Sequence, residues 1–160
     1  MILTHTDLWS STADLILVTS NSTTTRDNRL VMGAGAALQA RTRYPGCDRI
    51  FGQLVTEHRR LGRLWDIHPG TREPYGVILH PEIHAPDFGI FQVKWHWAQD
   101  ANLDVIAYSS EYLRRYALTR WPGVRIALNF PGTGNGYLPR ASILPIITRL
   151  PDGNWGRGGW

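Results

Sequence analysis

Asp14-Leu15-Ile16-Leu17-Val18-Thr19-Ser20 constrains the fold more than any other stretch of this chain. Its apolar residues are continuous rather than alternating, the pattern of a strand covered on both faces. It stops at the polar string from Asn21 to Arg29, which reads as a loop. Leu30-Val31-Met32 then leads into Gly33-Ala34-Gly35-Ala36-Ala37-Leu38-Gln39-Ala40, whose alanines, leucine and glutamine predict a helix ending near Tyr44-Pro45-Gly46. Asp48 to Leu64 has room for a shorter helix, and the runs Gly76 to His80 and Gly89 to Val93 are strand-like and bounded by turn residues. From Ala101 to Leu118, apolar residues at Leu103, Ile106, Ala107, Tyr108, Leu113 and Tyr116 approximate a helical stripe that ends by Trp121-Pro122-Gly123.

Val124 to Phe130 reads as the last strand, and Arg140 to Leu150 as a final helix in which Pro145 must sit in the first turn or kink the axis. Strands alternating with helices through short loops predict one α/β domain, with helices on both faces of a largely parallel sheet. Residues 1–152 form that domain, and residues 153–160, with two tryptophans among glycines, read as a tail.

Composition narrows the setting. Hydrophobic residues make up 42% of the 160 positions, enough for a globular core, but no stretch approaches the ~20 apolar residues of a membrane span. The N-terminal residues Met1 to Asp7 have neither a basic segment nor a long apolar one, so no secretory signal is expected. Cys47 is the only cysteine, which excludes an internal disulfide and fits a reducing, cytoplasmic setting. The formal charge of +4 favours a phosphate-bearing partner, with nucleic acid as one candidate. Arg59, Arg60 and Arg63, and Arg114, Arg115 and Arg120, fit the solvated faces of two helices.

Two glycine-rich turns follow predicted strands: Gly33-Ala34-Gly35, and Gly132-Thr133-Gly134-Asn135-Gly136. Glycine at a strand-to-helix junction lets the backbone approach a ligand, and a helix amino end offers free N–H groups to an anion. Both turns should lie at the carboxyl ends of strands in one sheet, so together they could grip a diphosphate.

Thr6-Asp7-Leu8, the run Asp14 to Asn21, Val31-Met32-Gly33-Ala34-Gly35-Ala36-Ala37-Leu38, and the late segment from Ile126 to Gly136-Tyr137-Leu138 resemble, in this order, the macrodomain family. The likeness covers both ends of the chain and is weak in the middle. The Met-Gly-x-Gly-x-Ala-Leu form is most similar to the subgroup of antitoxin macrodomains that reverse DNA ADP-ribosylation and hydrolases that remove terminal ADP-ribose from glutamate. The resemblance implies a three-layer α/β/α sandwich with a mixed, largely parallel sheet and ADP-ribose as ligand. It further implies Asp7 on the adenine amino group, Asn21 by the distal ribose, Met32, Gly33, Ala34 and Gly35 at the first phosphate turn, Gly132, Thr133, Gly134, Asn135 and Gly136 at the second, and Tyr137 as a covering ring. Asp14 matches too, and is expected to shape the start of its strand. Val18 stands where the family has the first asparagine of the strand-end motif. Gly136 stands where the terminal hydrolases carry an acid, so a mechanism needing that acid is not implied.

Lys94, the only lysine in the chain, resembles the lysine that this subgroup places beside the distal ribose. A lysine can attack an anomeric carbon if its pKa is lowered, or stabilise a departing group as an ammonium. Neighbouring His96 could act as acid or base, but packing or a surface position is the simpler expectation. His80 and His84 have i, i+4 spacing, yet Pro81 and Pro86 oppose the helix a zinc pair would need and no third ligand is evident, so no metal is expected. Cys47 reads as a passive thiol. The expected function is ADP-ribose binding by a cofactor-free monomer, with hydrolysis of an ADP-ribosyl bond on protein or nucleic acid. The alternatives are a non-catalytic reader and an ADP-ribose 1″-phosphate phosphatase.

Overall fold

A computed structural model describes residues 7–65, 73–120, 122–132 and 136–147. The expected tail at 153–160 lies outside the described residues, as does the end of the final helix beyond residue 147. After a 3-10 turn at Leu8–Ser10, the elements are β1 (Leu15–Ser20), α1 (Gly35–Arg43), α2 (Cys47–Trp65), β2 (Val77–Leu79), β3 (Asp87–Gln92), α3 (Leu103–Thr119), β4 (Ile126–Leu128) and α4 (Arg140–Ile147).

The sheet order is β2-β3-β1-β4. β1 is parallel to both its neighbours, with Leu15 opposite Asp87 and Ile126, and β2 runs antiparallel to β3. The sheet is therefore mixed and mostly parallel. The unbroken apolar run has its reason in β1, which lies between two cores. Leu15 and Leu17 join Phe91, Leu128, Ile106, Leu113, Ile143 and Ile147 on the α3–α4 face. Ile16 and Val18 join Phe88, Ile90, Ala40, Phe51 and Val55 on the α1–α2 face. Three layers, helix on sheet on helix, result.

Asp14 fixes the start of β1: its carboxylate accepts the Arg125 backbone N–H at 2.9 Å, and this bond, before the Arg125 guanidinium, holds its pKa below the ordinary aspartate value. Asn102 caps α3 by accepting from the backbone N–H groups of Asp104 and Val105.

Two boundaries differ from the sequence expectation. α2 is a full helix of 19 residues rather than a shorter one. Gly52 weakens the helical pattern, but it is where the loop after β1 presses on the helix: a Cβ there would lie 2.0 Å from the Asn28 carbonyl oxygen. α1 begins at Gly35, leaving Gly33 and Ala34 in the turn before it. Pro145 lies inside α4 rather than in its first turn, at the cost of one backbone hydrogen bond. Of the basic clusters, Arg60 pairs with Glu57, Arg114 and Arg115 share Glu111, and Arg59 donates to the Ser22 carbonyl. No helix among the described residues is long and apolar enough to cross a membrane.

Candidate functional site

The parallel strands β1, β3 and β4 end on one side of the sheet, and the segments leaving them enclose a cavity of about 780 Å3, within the ~300–1,000 Å3 usual for small-molecule sites. Its wall is formed by the end of β1 (Thr19 to Asn21), the turn into α1 (Val31, Gly33 to Ala37), the segment after β3 (Val93, Lys94, Trp97, Ala98) and the segment after β4 (Asn129, Phe130, Gly132, Gly136, Tyr137).

The α1 turn presents main chain to the cavity. Ala34 is the N-cap in extended conformation, with no side chain capping the helix and no acidic residue in the first turn. The first N–H groups of a helix lack partners inside it, and the residues that carry them here, Gly35, Ala36 and Ala37, are small and line the cavity. They form a site of partial positive charge suited to an anion. Gly35 has φ +55°, which disfavours a side chain, and nothing lies within 4 Å of a Cβ built on Gly33 or Gly35. On the opposite wall, Gly132 has φ +76°, and a Cβ there would lie 2.8 Å from Ile106 Cδ1. Tyr137, at φ +58° and 74% exposed, and Trp97, 55% exposed, form the rim.

Lys94 lies where β3 leaves the sheet and is 9% exposed. Among the described lining residues it is the only charged side chain, and Tyr137 has the only other titratable group. Desolvation pulls its pKa below the ordinary lysine value, and Asp100 opposes the shift. Its surroundings are sewn together by hydrogen bonds: Val93 N to Ser20 O at 2.9 Å, Ser22 N to Trp95 O at 3.0 Å, and Trp97 N to Thr23 Oγ1 at 3.0 Å. Asn21 is buried, donating from Nδ2 to Val31 O at 3.0 Å and accepting at Oδ1 from Thr23 N at 2.8 Å. Its amide thus ties the end of β1 to the α1 turn.

The fold therefore brings together Asn21, Gly33, Ala34, Gly35, Lys94, Gly132, Gly136 and Tyr137. Two predicted residues are not among those that line the cavity. Met32 is 1% exposed and packs in the α1–α2 core behind the wall. Asp7 is exposed at the start of the 3-10 turn, where its carboxylate accepts from Trp9 N at 3.4 Å and Ser10 Oγ at 3.2 Å. Thr133, Gly134 and Asn135 lie outside the described residues.

His96 is exposed and uses Nδ1 to accept from Ala98 N. His84 pairs with Asp87, while His80 accepts from Glu82 N and packs edge-on against Phe51. Burial pushes the Cys47 thiol up to about 11, as a passive thiol requires.

Sequence reasoning missed Asn129, which follows β4, lines the cavity and clamps Thr19 by accepting from its N–H and donating to its Oγ1, both at 2.8 Å. It also missed Gln92, although a glutamine inside an apolar strand-like run is a signal in itself.

No family model matches the chain, and no curated protein matches it by sequence. Solved structures are similar to it in fold. The Thermosipho africanus DarTG in complex with ADP-ribose superposes with a TM-score of 0.72 over 92% of this chain at 18% identity. This chain spans 37% of the length of that one. The macrodomain of Thermus aquaticus DarG gives 0.66 at 21% identity, covering 96% of this chain and 93% of its own. That of Mycobacterium tuberculosis DarG gives 0.61 at 22% identity, covering 96% and 95%.

Proposed function

With the macrodomain fold as premise, we propose that the cavity binds ADP-ribose and that the chain hydrolyses an ADP-ribosyl bond on a protein or nucleic acid, with Lys94 as the reacting group. One observation carries this: the uncapped amino end of α1 and the only charged described side chain of the wall share a single cavity. The diphosphate lies against the α1 N–H groups, held from the far side by the Gly132 turn. The distal ribose then reaches Asn21 and Lys94, and a solved structure of similar fold in complex with ADP-ribose supports the same ligand. A neutral Lys94 amine adds to the anomeric carbon as its bond to the acceptor breaks, and water then releases ADP-ribose and returns the amine.

The described lining residues include no carboxylate, an observation that favours a second reading as a non-catalytic reader. Calorimetry is expected to give micromolar affinity for ADP-ribose, about 8 kcal/mol, and much weaker binding of AMP, which lacks the second phosphate and distal ribose. Equal affinity for both sinks the diphosphate assignment. Turnover of ADP-ribosylated DNA or ADP-ribosylated glutamate separates enzyme from reader, and turnover of the 1″-phosphate alone assigns a phosphatase.

A further inference from the structure

Gln92 is completely buried at the end of β3, a strand in which Phe88, Ile90 and Phe91 are completely buried as well. A buried amide without partners is costly, so such a residue is explained by what it bonds. Its backbone N–H donates to Gly76 O at 2.9 Å, and its carbonyl accepts from Ser109 Oγ at 2.7 Å. Its side chain bridges two main-chain groups: Oε1 accepts from Tyr75 N at 2.8 Å, and Nε2 donates to the Lys94 carbonyl at 3.2 Å. Tyr75, 4% exposed, donates its hydroxyl to the Asn21 carbonyl at 2.8 Å. Neither Gln92 nor Tyr75 lines the cavity, yet together they join two residues that do, one leaving β3 and one leaving β1.

We propose that Gln92 and Tyr75 form a positioning unit that sets Lys94 and Asn21 relative to one another at the distal-ribose end of the cavity. The inference rests on the reading of Lys94 as the reacting group. An apolar side chain could fill the space of Gln92 in the core, but it could not donate to the Lys94 carbonyl, so the peptide that carries the amine would lose an anchor. The unit acts through Lys94 and touches no substrate. Asp100 acts on Lys94, and the described lining from β1, the α1 turn and the segment after β4 contains no carboxylate, arginine or histidine.

The sole lysine makes the test direct, because selectively 13C-labelled lysine gives one side-chain resonance that titrates with the Lys94 amine. Gln92→Met, close in size but without the amide, is expected to move that titration toward the ordinary lysine value by about half a pH unit or more. Turnover at saturating substrate should fall at least ~10-fold while ADP-ribose affinity stays within ~3-fold, a split that partial unfolding does not produce. Tyr75→Phe keeps the ring and the main-chain bond to Gln92 and loses only the hydroxyl. It is expected to lower turnover through Asn21 while leaving the lysine titration in place.

An unchanged lysine titration with wild-type turnover in Gln92→Met overturns the inference. If Gln92→Met does not fold, wild-type turnover in Tyr75→Phe overturns it instead. Wild-type protein without ADP-ribose binding or turnover removes the reading beneath and the inference with it, and that control tells the two failures apart.

Discussion

In the proposed reaction Lys94 is the reacting group, and burial suits it to that role by disfavouring its charged form and so raising the neutral fraction at a given pH. With a neutral amine as nucleophile, turnover rises with pH through a midpoint below the ordinary lysine value. A pH–rate profile that falls through that midpoint assigns the ammonium as the acting form. Lys94→Ala should leave ADP-ribose affinity within about tenfold and slow turnover at least ~100-fold, roughly 2.7 kcal/mol of transition-state stabilisation. Survival of full turnover in that variant moves the catalytic role elsewhere. Asp7 caps the 3-10 turn, so Asp7→Ala should cost about 0.5–2 kcal/mol of stability and leave the affinities for ADP-ribose and its inosine analogue unchanged. A selective loss for the adenine ligand returns the carboxylate to adenine recognition. Lys94, Asn21 and the glycines were legible because they stand beside strand ends in a recognisable order. Asn129, Gln92 and Tyr75 were not, because a single polar residue whose partner lies 17 to 110 positions away leaves no periodic trace.

Elements differ in how their glycines act, and substitution separates the roles. Gly52 is a contact glycine: Gly52→Ala drives a Cβ into the Asn28 carbonyl and is expected to cost about 1–3 kcal/mol by denaturant unfolding. An unchanged midpoint would mean that the loop from Asn21 to Leu30 gives way freely. Gly33 has open space where its side chain would be, so Gly33→Glu should fold normally and lose ADP-ribose binding by placing bulk and negative charge at the α1 amino end. Undiminished affinity in that folded variant moves the ligand away from α1. The sequence conveyed the existence and order of the elements, since apolar runs and helical stripes are local signals. It underestimated α2 because Gly52 weighs against a helix until the loop packed on it is known. Pro145 left two placements open, the first turn or a kink, and it lies inside α4 between the fully buried Ile143 and Ile147.

For the molecule as a whole, two cores share β1 and the cavity opens across the strand ends, so a ligand held there would be coupled to the fold on both faces of the sheet. ADP-ribose at 100 times its Kd should add about 2.7 kcal/mol of stability. For a chain of this size each kcal/mol is worth ~2–4 °C, so thermal unfolding should shift upward by about 5–10 °C. A shift no larger than that given by AMP contradicts a site built for the full ligand. Two covering layers were readable from the continuous apolar run of β1 together with the alternation of strands and helices, and the resemblance supplied the sandwich itself. The antiparallel edge strand β2 was not readable, because three residues carry too little pattern to reveal direction. The wall at residues 33–37 is built from glycine and alanine at an uncapped helix amino end rather than from functional side chains, and peptide groups are identical in every sequence. Recognition of this kind is inherited as geometry: over evolutionary time most side chains can drift without disturbing it, provided the turn into α1 keeps its course.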